Sequence, residues 1–175
     1  MFQLRLLVRL ATFGSRALQL FAPRLHNYYE ETMRALSDKD TNLTRNFEDT
    51  PFVNVTFNLG PECVMCAITA FGNYNPVISG HLVLWQFGMV IEFPPGATIL
   101  IMSAIVTHGN TAIQEGEHRY SFTQYSAGGL FQWVDAGHRT VSSKPRVPAD
   151  QAAEEGKARW KRGVEMLSLW SELKA

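Results

Sequence analysis

Cysteine, net charge and long unbroken apolar runs are what this chain lacks. Only two cysteines occur, Cys63 and Cys66. That is too few for a disulfide framework, and it fits a reducing, intracellular setting. There is no Walker-type glycine loop and no Gly-x-Ser-x-Gly elbow, so neither P-loop phosphate chemistry nor an α/β-hydrolase is indicated. Sixteen basic residues (Lys+Arg 16) balance the acidic ones (Asp+Glu 16). This excludes a whole-chain polycation built to hold nucleic acid phosphates, though not a local basic patch. From Cys63 to Gln114 the only Asp, Glu, Lys or Arg is Glu92. Gly72-Asn73, Asn75-Pro76, Ser79-Gly80 and Pro94-Pro95-Gly96 break that stretch before a helix of about 20 residues can form. No membrane partner is expected.

What is present is a large apolar fraction, 46% of 175 residues, which excludes disorder and gives one domain with a sizeable core. Short runs rich in β-branched and aromatic residues predict strands at 52–58, 64–71, 81–86, 89–93, 98–101, 104–108, 119–125 and 130–134. Tight turns such as Phe87-Gly88 separate them. The expected fold class is α+β, mainly β, with the strands in a jelly roll over residues 50–138. An N-terminal helical segment over 1–40, divided at Pro23, packs on the barrel. Residues 139–148 read as a linker, and 149–175 as a C-terminal helix with Trp160, Val164, Leu167 and Trp170 at helical spacing.

Arg5, Arg9, Arg16 and Arg24 precede the first acidic residue, Glu30. An acid-free amphipathic start resembles a mitochondrial transit peptide. The alternative is a helix that keeps its arginines in water, because the apolar pattern runs unbroken into Leu25-His26-Asn27-Tyr28-Tyr29. In the last helix Lys157, Arg159, Lys161 and Arg162 read as a solvated face. Arg139, Lys144 and Arg146 offer a local contact for DNA.

Chemistry concentrates in His108 and the run Arg119-Tyr120-Ser121. On a strand, Arg119, Ser121, Thr123 and Tyr125 share one face, and Tyr120, Phe122 and Gln124 the other. An arginine turned into a protein interior needs an anion. A guanidinium beside a hydroxyl suits a small carboxylate, unless Glu115 or Glu117 pairs with it. His108 offers an imidazole nitrogen to the same cavity as a metal ligand, or is a satisfied structural histidine. His81 reads as a core-edge histidine, with metal binding the lesser alternative. Cys63-x-x-Cys66 is half of a zinc knuckle, and burial as small apolar residues is the simpler reading.

The run from His81 to Trp133, with its segments Glu92-Phe93-Pro94-Pro95-Gly96 and Arg119-Tyr120-Ser121-Phe122-Thr123-Gln124-Tyr125, resembles a known family. It is similar to the TET/JBP-like Fe(II)- and 2-oxoglutarate-dependent dioxygenases expanded in basidiomycete fungi. The similarity extends to Thr56–Pro61, Cys66–Tyr74, Arg24–Tyr29 and, more loosely, Trp160–Leu173. It implies a double-stranded β-helix flanked by N- and C-terminal helices, Fe(II) and 2-oxoglutarate as cofactors, and oxidation of 5-methylcytosine flipped out of DNA. It also implies a nuclear location, His108 as the distal iron ligand, and Arg119, helped by Ser121, on the distal carboxylate of 2-oxoglutarate.

One part of the pattern is missing. The iron site of this family needs His-x-Asp or His-x-Glu, two residues apart so that both ligands face the metal. The residues two beyond the five histidines are Tyr28, Val83, Asn110, Tyr120 and Thr140, none of them a carboxylate. Only Glu62-Cys63-Val64-Met65 joins the segments between which the motif belongs. Nothing in the spacing of Glu62, Asp49 or His81 makes them substitutes. The expectation is a dioxygenase-like domain that is inactive or impaired. The alternative is a remnant or binding module that keeps the carboxylate pocket.

Overall fold

The computed structural model describes residues 2–56, 65–139 and 148–173. The expected break at Pro23 is present: α1 runs Phe2–Phe21 and α2 Pro23–Lys39, with the proline at the first turn of α2, where its missing N–H is not needed. The chain divides into two compact units, Met1–Gly14 with Arg45–Gly128 and Ser15–Thr44 with Gly129–Ala175.

The first unit holds the strands β1 (Asn54–Thr56), β2 (Cys66–Asn73), β3 (Leu82–Leu84), β4 (Met89–Ile91), β5 (Thr98–Ile101), β6 (His108–Asn110) and β7 (His118–Tyr125). They form a four-stranded sheet of order β1-β7-β2-β5 and a three-stranded sheet of order β4-β3-β6, with every pairing antiparallel. Cys66, Ala70, Leu82, Leu84, Phe93, Ile101 and Val106 are buried together, with Ile68, Ile91, Ile99 and Tyr125 against them. Cys66, Ile68 and Ala70 alternate along β2, and Leu82 and Leu84 along β3, so each sheet gives one face to this core. Burying each Leu, Ile or Phe here stabilises by about 1.5–3 kcal/mol.

The opposite face of the larger sheet carries Ala67, Thr69, Phe122 and Gln124, all buried. Gln124 Nε2 donates to the Ala11 carbonyl of α1 at 3.2 Å and to Thr50 Oγ1 at 3.3 Å. A Cβ at Gly14 would stand 2.3 Å from Gln124 Oε1. Glycine is therefore what lets α1 approach this strand.

In the second unit α2 buries Leu25, Tyr29, Met33 and Leu36. The rings of Tyr28 and Tyr29 lie 5.2 and 4.6 Å from that of Phe131. Phe131 belongs to α3 (Gly128–Asp135), which corrects the expected strand at 130–134. A short apolar run does not reveal its period, and here Leu130, Phe131 and Val134 follow helical steps. The last helix, α4, is Ala149–Glu165 and ends short of the expected boundary. Its Trp160 and Val164 are exposed rather than packed.

The mainly-β expectation is likewise corrected. Helices of 20, 17, 8 and 17 residues outweigh strands of 3 to 8, and the described residues form two small sheets rather than a closed barrel. Several predicted strands shorten because turns intrude. Trp85–Phe87 is a 3-10 turn closed by Gly88 at φ 59°. The expected strand at 104–108 starts only at His108, because Ile105 and Val106 donate back to the Met102 carbonyl. No helix of the described residues is long and apolar enough to cross a membrane.

Candidate functional site

Strand β7 supplies the first component. Its residues alternate as expected: Phe122 and Gln124 are buried on the helix-covered face, while Arg119, Ser121, Thr123 and Tyr125 are half-buried on the other. Tyr125 packs on the inter-sheet core, so the Arg119 face looks between the sheets. Opposite Arg119 on β2 lies Gly72, and opposite Ser121 lies Ala70. Strand β6 supplies the second component. His108 and Asn110 pair across from Leu84 and Leu82 of the same core, and cross-strand partners share a face.

Arg119 joins the two sheets. Its Nη1 donates to Asn110 Oδ1 at 3.2 Å, and the guanidinium carbon sits 5.8 Å from the Tyr74 ring and 5.6 Å from the Phe93 ring. Tyr74 is itself fixed by donating its hydroxyl to the Phe93 carbonyl. Gly80, at φ +64°, makes the close approach possible. A Cβ there would meet Tyr74 ring atoms at 2.9 Å and Arg119 Cδ at 3.0 Å. Arg119 Nε is buried and has no hydrogen-bond partner.

Neither expected acid pairs with Arg119. Glu117 instead accepts from Ser79 Oγ and from the backbone N–H groups of Asn75 and Gln114, and these bonds, the Ser79 one foremost, hold its carboxyl below the usual range. Glu115 is exposed. Among the described residues no ion pair includes Arg119. A guanidinium gripped between two rings, with one buried donor idle, is arranged to receive an anion.

The metal side is less complete. His108 Nδ1 lies 2.8 Å from the Val106 carbonyl. That contact makes Nδ1 the protonated nitrogen and leaves the Nε2 lone pair available. Two residues on, Asn110 is engaged by Arg119 and donates to the His81 carbonyl. Among the described residues no three His, Cys, Asp or Glu side chains gather as metal ligands. The described donor set therefore falls short of the three protein ligands an iron centre of this kind needs.

His81 is a structural residue. Nδ1 contacts Thr111 Oγ1 at 3.1 Å and Nε2 the Val77 carbonyl at 3.2 Å, which uses both nitrogens. Asp49 is exposed, and Glu62, Cys63, Lys144 and Arg146 lie outside the described residues. Cys66 is buried, as expected, but it is disulfide-bonded and accepts from Ser103 Oγ at 3.0 Å. The zinc reading is corrected, since a bonded sulfur has no thiolate to offer.

Sequence reasoning brought forward His108, Arg119 and Ser121 but missed Tyr74, Phe93, Gly80 and Asn110. The Glu92–Gly96 segment was distinctive enough to notice. Nothing in its spacing signalled that Phe93 would close over a cation from another strand.

No family model matches the chain, and no curated protein does. Solved structures do match, among them NgTET1 in complex with 5mC DNA. That likeness has a TM-score of 0.37 at 16% identity and spans 50% of this chain and 32% of the other. Similarity at that level carries no argument about activity.

Proposed function

We propose that this chain is a dioxygenase-like domain that binds a small dicarboxylate of the 2-oxoglutarate type through Arg119, with Ser121 as a second donor, and does not complete an iron site. The single observation that carries the reading is Arg119 itself, an arginine facing the inter-sheet space with a buried, idle Nε and no carboxylate partner among the described residues. Under this reading the two facing sheets are the halves of a double-stranded β-helix short of the strand that bears His-x-Asp. His108, with Nε2 free, is the surviving ligand position.

Arg119 holds one carboxylate by charge and planar geometry. Tyr74 and Phe93 exclude water beside it and so strengthen that attraction. Without the His-x-Asp pair that would join His108 at the metal, the domain holds the acid and does not turn it over. DNA is a further partner and the nucleus the corresponding location, both resting on the resemblance.

Calorimetric titration of the full chain with 2-oxoglutarate in the presence of a chelator tests the reading. Binding is expected for the native chain and is lost in Arg119→Ala. Absence of binding, or equal binding by the variant, overturns it. Stoichiometric iron after anaerobic loading, with 2-oxoglutarate consumed on methylated DNA, overturns the inactive part and leaves an unconventional oxygenase.

A further inference from the structure

Helix α1 carries a second, unexplained surface. Its inner side is committed: Ala11 and Leu18 are fully buried, Ala11 accepts from Gln124, and Gly14 lies against the Gln124 side chain. Its outer side is not polar in the ordinary way. Leu6, Phe13 and Leu20 recur at seven-residue steps and are 62%, 56% and 68% exposed, with Phe21 also exposed at 54%. Seven residues are close to two turns, so these side chains form one stripe along a continuous helix. Apolar residues exposed singly need no explanation, but an aligned row of large ones marks a contact surface.

Beside that stripe runs a second row. Arg5, Arg9 and Arg16 follow at steps of four and seven residues and are all exposed. Arg16 donates to Gln19 at 2.8 Å, and none of the three forms an ion pair among the described residues. The helix itself contains no Asp or Glu. The partner therefore offers both negative charge and apolar depth.

We propose that α1 is an interfacial helix for an anionic membrane, with Leu6, Phe13 and Leu20 set into the headgroup boundary and Arg5, Arg9 and Arg16 on the lipid phosphates. Such a helix lies in the membrane plane and needs no spanning length. Arginine stems also reach outward, keeping the charge among phosphates while the stem covers apolar surface. A nucleic acid satisfies the arginines but leaves the leucine and phenylalanine stripe in water. A second copy meeting the same stripe brings its own arginine row alongside, which repels. Because the inner face already holds α1 as a helix, the outer stripe is organised before it meets the surface.

Co-sedimentation of the full chain with phosphatidylcholine vesicles, with and without phosphatidylserine, tests this. Binding is expected only to the anionic vesicles and falls as salt rises. Each of Arg5→Gln, Arg9→Gln and Arg16→Gln weakens it about fivefold. Leu6→Ser with Phe13→Ser abolishes it, far-UV circular dichroism confirming that helix content is kept. Should that double variant unfold, the arginine series and the salt dependence of the native chain still decide. No sedimentation with anionic vesicles overturns the proposal, as does binding indifferent to the arginines. A dimer that Phe13→Ser dissolves assigns the stripe to a second copy and equally overturns it.

Discussion

Replacing Arg119 by methionine keeps a long unbranched stem and removes the guanidinium. Three contributions change. The Tyr74 and Phe93 rings, 5.8 and 5.6 Å from the charge, lose a contact of about 0.5–1 kcal/mol each. The 3.2 Å bond to Asn110 goes, a loss of about 0.5–1.5 kcal/mol. Against these, the buried Nε–H that meets no acceptor no longer carries its desolvation, a relief of about 1–3 kcal/mol. At mid-range the losses of about 2.5 kcal/mol nearly cancel the relief of about 2, and the net cost stays below about 3 kcal/mol. An arginine held in a buried ion pair behaves differently, because removing it strands a charge and costs about 3–5 kcal/mol.

The ligand supplies the second half of this test. With 2-oxoglutarate at about 100 times its dissociation constant, the native chain gains about 2.7 kcal/mol and Arg119→Met gains nothing. Urea melts of both proteins, with and without the acid, read all four values, provided the slope is unchanged. A loss of about 3 kcal/mol or more without ligand, or equal stabilisation of both proteins, would refute the reasoning.

Three further outcomes follow from the packing and the titrating groups. Gly14→Ala ordinarily strengthens a helix by about 0.5–1 kcal/mol. Here the new Cβ falls 2.3 Å from Gln124 Oε1, so a net loss of about 1–3 kcal/mol is expected in thermal melts, and a gain contradicts the α1 contact. Glu117, whose carboxyl is held low by Ser79 and two backbone N–H groups, stabilises the fold above the ordinary carboxylate range, and that contribution is lost as pH falls through its depressed value. The stability gap between the native chain and Glu117→Gln therefore narrows on acidification, and a widening gap shows the bonds are not formed. Burial, then the Asp135 carboxylate, pushes the Tyr28 hydroxyl up to about 12. Its stabilising protonated state is lost as pH rises from the ordinary tyrosine range towards that value. Alkaline absorbance titration should show one late tyrosine that Asp135→Asn shifts back.

The longest strands were the most legible. Arg119 to Tyr125 announces its two faces by alternation, and the structure keeps that division from Arg119 to Tyr125. Pro23 likewise divides the N-terminal helices because it lacks the N–H a helix interior requires. Leu130–Val134 was not legible, since a five-residue apolar run serves strand or helix equally and only the Tyr28 and Tyr29 rings select α3. The large helical share escaped for a related reason: turns at Trp85–Phe87 and Met102–Val106 shorten the runs that looked extended.

The sequence by itself determined the balance of charge, the absence of His-x-Asp from every histidine and the presence of an arginine on a strand face. These are matters of composition and period. Only the tertiary structure decided that Arg119 is gripped by Tyr74 and Phe93, bonds Asn110 on the strand of His108 and meets no carboxylate among the described residues. Those partners come from three separate segments, and local pattern carries no information about which distant rings meet. The Leu6, Phe13 and Leu20 stripe shows the same division. Periodicity aligned it, but only packing decided that Ala11 and Leu18 turn inward and the stripe meets water.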